Sequence, residues 1–199
     1  MKDWSGNRNS IFKTLGASNH TDEERELNDY YATDPVAAEK LLELVSFHPM
    51  IWECACGEGH LSEVFKSNGY KVISTDLIDR GYGIGHFDFL KSKTPFDGDI
   101  ITNPPYKLAQ EFVEHALSLV PDGNYVAMFL KLTFLEGKKR GQFFKDSPPR
   151  TVFVSRSRIL CAKNAEFEKI QNSGGSAVAY AWFLWEKGYK GKTEIQWFN

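Results

Sequence analysis

The stretch Asp99-Ile100-Ile101-Thr102-Asn103-Pro104-Pro105-Tyr106 limits what this chain can fold into more than any other. Its apolar, β-branched run suits a buried strand. That strand has to stop near Asn103. Proline fixes φ, offers no N–H to a ladder and biases the residue before it toward extended backbone. Asn103 is therefore expected at the carboxyl end of a strand, where open α/β sheets bind their ligands. An amide held beside stiff backbone, with a flat ring just beyond, can accept hydrogen bonds from a planar amine and stack on the group that carries it. The plainer reading is a strand and a proline-rich turn in which Asn103 caps the next helix. The residues upstream weigh against it.

Strand and helix patterns alternate on both sides of this stretch. Asp34 is a good N-cap and Pro35 suits the first helical position. Val36, Leu41, Leu42 and Val45 then give an amphipathic helix that ends near Phe47-His48-Pro49. Met50 to Cys54 reads as a strand, Leu61 to about Ser67 as a helix, and Lys71 to Asp76 as a strand. Leu108, Phe112, Val113, Ala116, Leu117 and Val120 have helical spacing, closed by Pro121-Asp122-Gly123. Asn124 to Leu132, Thr151 to Val154 and Ala177 to Trp185 are further strands, with 172–176 a loop tip. The aromatic residues of the last strand are expected in the core. Such alternation predicts an α/β protein with a mostly parallel sheet. With 199 residues, 42% of them apolar, the chain can build one domain with a proper core and hardly two. Residues 1–28 are polar and lack apolar periodicity, so they read as an extension to a single domain over 29–199.

Between the strand at Met50 and the helix at Leu61 lies Ala55-Cys56-Gly57-Glu58-Gly59-His60. Strand, glycine turn and helix let backbone approach a nucleotide-like ligand closely. The spacing is not G-x-G-x-x-G, which disfavours a nicotinamide dinucleotide. Glu53 and Glu58 would repel a pyrophosphate and suit an ammonium or sulfonium charge. Asp76, about 20 residues beyond, ends its strand where a carboxylate can take both hydroxyls of a ribose. Asp88 beside Phe89 could hold the amino edge of an adenine and cover its face.

Charge and cysteine content narrow the partners. The formal net charge of -2 gives no global basic signature, so any nucleic-acid contact must be local. Residues 131–163 supply one: nine lysines and arginines face two acids, Glu136 and Asp146. A phosphate backbone is a natural partner for such a segment, and a solvated loop is the plainer alternative. Three cysteines, two of them in Cys54-Ala55-Cys56, make neither a disulfide framework nor a zinc pattern. A reduced, cytoplasmic setting without metal is expected. No apolar stretch is long enough to span a membrane.

In order, Tyr30-Tyr31-x-Thr33, Glu53-x-x-x-Gly57-x-Gly59, Asp76, Asp88-Phe89 and Asn103-Pro104-Pro105-Tyr106 resemble the class I S-adenosylmethionine-dependent methyltransferases. The resemblance runs from about Tyr30 to Trp185 and is greater to the enzymes that methylate the amino group of adenine in DNA. The tail, with Lys131-Leu-x-Phe134-Leu-Glu-Gly137-x-x-Arg140, is similar to small phage and prophage methyltransferases. The resemblance implies a Rossmann-like, mostly parallel seven-stranded sheet with helices on both faces. It implies S-adenosylmethionine as cofactor, with Tyr31 and Thr33 at its methionine end. Glu53, Cys54, Gly57 and Gly59 would form its floor and meet its amino-acid portion, Asp76 would hold the ribose, and Asp88 with Phe89 the adenine. Asn103 and the Pro104 carbonyl would accept hydrogen bonds from the target amine. Pro105 would stiffen the turn, and Tyr106 would stack on a base flipped out of the helix.

The segment 133–176 is the only room for target recognition, and Lys138, Lys139, Arg140, Arg156 and Arg158 are its candidate nucleic-acid contacts. Phe143, Phe144 and Phe167 are candidates for a second aromatic on the far face of the base. The four-residue motif also occurs in enzymes acting on RNA adenine or on a glutamine side chain. Residues 1–28 are too short for the helical domain expected of the last. A non-catalytic cofactor- or DNA-binding protein would have no need of an intact Asn-Pro-Pro-Tyr.

Overall fold

A computed structural model describes residues 31–157, 159, 161–162 and 178–198. Seven strands form one sheet in the spatial order β3 (Lys71–Ser74), β2 (Met50–Glu53), β4 (Asp99–Thr102), β5 (Tyr125–Lys131), β8 (Tyr180–Glu186), β6 (Thr151–Ser155) and β9 (Glu194–Phe198). β3, β2, β4 and β5 run parallel, as does the β6–β9 pair. β8 is antiparallel to both its neighbours. A separate antiparallel ladder joins β1 (Ala32–Thr33) to β7 (Cys161–Ala162).

The sheet is covered on both faces, which is why its central strands read as continuous apolar runs. Successive side chains go to opposite sides. Trp52, Ile100, Met128, Phe183 and Trp185 pack with Phe112, Val113 and Ala116 of helix α3 (Ala109–Leu119). Ile51, Ile101, Phe129, Trp182 and Leu184 pack with Leu41 of α1 (Val36–Leu44) and Leu61 and Phe65 of α2 (His60–Ser67). Each such burial contributes on the order of 1.5–3 kcal/mol. The buried Trp182 indole also donates to the Ala37 carbonyl at 2.7 Å, which fixes α1 against β8.

Local chemistry sets the element ends. Asp34 accepts the Val36 N–H at 3.1 Å, and Pro35 has helical φ and ψ, as the sequence led us to expect. The helix stops at Leu44, earlier than Phe47, because Val45 turns to extended backbone. At the opposite edge of the sheet from Asn103, Asp99 is fully buried and accepts the backbone N–H groups of His48 (2.6 Å) and Tyr125 (2.7 Å). That carboxylate ties the starts of three strands together. The edge strand β9 and the short helix α4 (Gly141–Asp146) were not anticipated. Among the described residues no helix is long and apolar enough to cross a membrane.

Candidate active site

One cleft opens at the carboxyl ends of β2, β3 and β4. It encloses about 910 Å³ of empty space, part of it open to solvent. Its walls include Tyr31, Thr33, Glu53, Cys54, Asp76, Asp88, Phe89, Asn103, Pro104, Pro105 and Tyr106. The segments that the sequence singles out therefore meet in one place, although Tyr31 and Tyr106 are far apart along the chain.

At the inner end, Glu53 is buried and accepts a hydrogen bond from the Ser62 hydroxyl, which also lies 2.6 Å from the Ser74 hydroxyl. Burial pushes the Glu53 carboxyl up to about 8, and the bond from Ser62 opposes this more weakly. Cys54 is buried as well, and its thiol is pushed up by that burial. All three cysteines are free thiols. Among the described residues no group of three or more His, Cys, Asp or Glu could hold a metal ion.

Asp76 stands just past the end of β3. Its Oδ2 accepts the Gly57 N–H at 2.8 Å and its Oδ1 the Ile78 N–H at 2.9 Å. The carboxylate is thus aimed by backbone on both sides, and each oxygen keeps a lone pair for a further donor. Leu77, 53% exposed, sits beside it on the cleft wall and was not predicted. Asp88 is paired with Lys91 at 2.8 Å, which holds its carboxyl below the usual range, and Phe89 behind it is buried among Trp52 and Phe112.

Gly57 and Gly59 shape the turn without lining the cleft. Both have positive φ, 55° and 87°. The Tyr82 ring lies on Gly59, where a Cβ would collide with it. The Tyr82 hydroxyl donates to Glu63 at 2.5 Å, and the Lys66 ammonium lies over the ring at 4.7 Å. This latches the loop after β3 onto α2. Gly59→Ala is expected to lower stability by about 1–3 kcal/mol, through the left-handed backbone and the displaced ring. Urea unfolding monitored by circular dichroism checks this.

Asn103 is held by the small ladder. Its amide nitrogen donates to the Thr33 hydroxyl at 2.8 Å and lies 3.4 Å from the Tyr31 carbonyl and 3.9 Å from the Cys161 sulfur. A backbone carbonyl can only accept, which fixes the amide's orientation. The other end of the amide, Oδ1, is buried and has no hydrogen-bond partner among the described residues. An acceptor left in that state costs about 1–3 kcal/mol until a donor arrives.

Tyr106 follows, its hydroxyl 3.4 Å from the Cys161 sulfur. Its ring is flanked by Tyr31 (centroids 6.4 Å apart, tilted 30°) and Tyr180 (5.7 Å, 35°). Burial above all raises the Tyr106 phenol, and burial pushes the Cys161 thiol up to about 11. Neither Tyr180 nor Cys161 was picked out from the sequence. Tyr180 is the first residue of β8, and because that strand runs backwards its start lies at the edge where Asn103 ends β4. Phe143 and Phe144 do not serve as aromatics at this site. They pack with Phe134 on one face of the sheet, Phe143 only 5% exposed. Phe167 lies outside the described residues, as does Arg158.

Of the basic candidates, Lys138, Lys139 and Arg156 are exposed. Arg140 directs its guanidinium inward, donating to the Phe134 carbonyl at 2.8 Å and stacking on the Phe134 ring at 4.8 Å.

No model of a known protein family matches the sequence. No curated protein matches it either. Solved structures share the fold. A candidate class I S-adenosylmethionine-dependent methyltransferase from Listeria monocytogenes superposes with a TM-score of 0.59 at 14% identity, over 96% of this chain and 71% of the other. A candidate RNA methyltransferase from Pyrococcus horikoshii gives 0.54 at 14% identity, over 91% and 99%. A chain of a type I restriction–modification system gives 0.53 at 16% identity, over 96% and 47%. Candidate hemolysins have the fold too. The architecture is thus the Rossmann-like fold of class I methyltransferases.

Proposed function

We propose that the chain is an S-adenosylmethionine-dependent methyltransferase acting on the exocyclic amino group of adenine in DNA, with the target base flipped out of the helix. The observation that carries this reading is the Asn103 amide. Its nitrogen is committed to Thr33 and Tyr31, and among the described residues its buried Oδ1 lacks a donor. A substrate seated there has to present an N–H or O–H, and the neighbouring tyrosine ring favours one carried on a flat, aromatic group.

The cleft suits the cofactor. The Asp76 carboxylate is aimed for a ribose, Phe89 and Leu77 supply apolar surface, and Glu53 supplies a carboxylate for an ammonium. The cofactor, when bound, brings an electrophilic methyl group on a sulfonium sulfur. The protein's task is then chiefly positioning. An aromatic amine is a poor nucleophile because its lone pair is delocalised into the ring. Asn103 Oδ1 and the Pro104 carbonyl accept its two hydrogens and draw the nitrogen toward tetrahedral geometry, which localises that pair. Tyr106 holds the base by stacking. No side chain is needed as a nucleophile, consistent with thiols that burial keeps protonated.

Tritiated methyl transfer to unmethylated DNA, transfer RNA, ribosomal RNA and a protein extract in parallel tests the reading. Label in DNA that digests to N6-methyl-2′-deoxyadenosine is the expected result. Label in RNA or protein instead would change the substrate, and no label in protein that binds the cofactor would overturn the reaction.

A further inference from the structure

We infer that Lys131 binds the backbone phosphate that flanks the target nucleotide. Lys131 is the last residue of β5, next to β4 in the sheet, so it stands at the same edge as Asn103. It is half-buried, and its ammonium lies over the Tyr106 ring, 4.6 Å from the centroid. Across the ladder it is paired with Tyr180. Among the described residues it makes no ion pair with a carboxylate.

A cation in that position has lost part of its water and gained the face of an aromatic ring. It is matched to an anion that arrives with the substrate. The inference rests on Tyr106 being the platform on which the target base stacks. A base that stacks on the face under Lys131 must displace the ammonium. The four-carbon stem then carries it outward, to where the sugar and phosphate of that same nucleotide leave the cleft. A base on the other face leaves the ammonium where it is, still within reach of that backbone. Lys131 thus differs from Lys138 and Lys139, which are exposed on the following turn and suited to duplex farther from the target.

Another anion could also come to this place, the carboxylate of the cofactor's amino-acid portion, and the experiment separates the two. The chain is loaded with S-adenosylhomocysteine and titrated with a fluorescent duplex in which one adenine lies opposite an abasic site, which lowers the cost of flipping it. Binding is followed by anisotropy over a series of salt concentrations, and cofactor affinity is measured separately by calorimetry. Lys131→Met is expected to weaken duplex binding by about tenfold near physiological salt and to reduce the salt slope by about one. Lys131→Arg is expected to restore both, and cofactor affinity to stay unchanged in the two variants. An unchanged salt slope in Lys131→Met would overturn the inference, as would a loss of cofactor affinity of the same size. Wild-type methyl transfer is assayed beside it. Transfer to adenine with an unaltered slope sinks the phosphate contact alone. A lost slope without transfer sinks the proposed reaction alone.

Discussion

Replacing Asn103 by alanine should reduce kcat for methyl transfer by about 10²–10³, the usual effect of removing one aligned hydrogen-bonding group from a reacting centre. Cofactor affinity should fall far less, because Asp76 and Glu53 remain in place. Asn103→Asp is the more discriminating variant. It keeps an oxygen to accept from the amine but loses the hydrogens now given to Thr33 and Tyr31. A carboxylate facing the Tyr31 carbonyl would turn away from it, so a loss close to that of alanine is expected. Single-turnover kinetics with saturating cofactor would show whether the chemical step is affected. If Asn103→Asp retained near-normal rates, the orientation set by the small ladder would not matter, and the amide would serve some other purpose.

Glu53→Gln should have opposite effects on stability and on cofactor binding. Burial raises the Glu53 carboxyl from 4.5 to about 8. Between those values the folded chain holds a proton that the unfolded chain has released. Its contribution to stability is complete below about pH 4.5, declines as pH rises toward 8 and is absent above. The whole span is worth on the order of 5 kcal/mol. Glutamine cannot ionise, so the variant should lack this slope and be more stable than wild type at pH near 8, by roughly 2 kcal/mol or more. Without a carboxylate for the ammonium it should bind cofactor at least tenfold more weakly at the same pH. Wild-type binding near pH 7 should release a proton, visible as a calorimetric enthalpy that varies with the buffer's ionisation enthalpy. Urea unfolding of the wild type that shows no decline between about pH 5 and 8 would remove the basis for both effects.

The parallel half of the sheet was legible in the sequence because β2, β4 and β5 are continuous apolar runs, buried along most of their length and bounded by strong turn chemistry. Asp99 to Thr102 is the plainest case, closed by two prolines. β9 is not legible in the same way, because Ile195 and Trp197 face outward, 51% and 63% exposed, against the pattern of a buried strand. The motif residues were legible as a group because chemistry demands their type. What could not be read was the company they keep. Cys161 and Tyr180 reach Asn103 and Tyr106 through strand direction and a two-residue ladder, and neither leaves a periodic trace. Aromatic content alone made Tyr180 look like Trp182 and Trp185, yet only the strand's first residue lies at the carboxyl edge of its neighbours. Phe143 and Phe144 misled for the converse reason: they sit in the basic segment but face the core.

The ladder between β1 and β7 has a consequence for how activity is lost. Among the described residues it joins only Ala32 to Ala162 and Thr33 to Cys161. The two strands are far apart along the chain, so bringing them together costs loop-closure entropy, and so short a ladder offsets little of it. The seven-stranded sheet is a separate ladder with its own hydrogen bonds. Fraying of these two pairs would leave the scaffold standing and free Asn103 to rotate, so the chain can become inactive while still folded. Methyl transfer is thus expected to be lost at a lower urea concentration than the circular dichroism signal of the sheet.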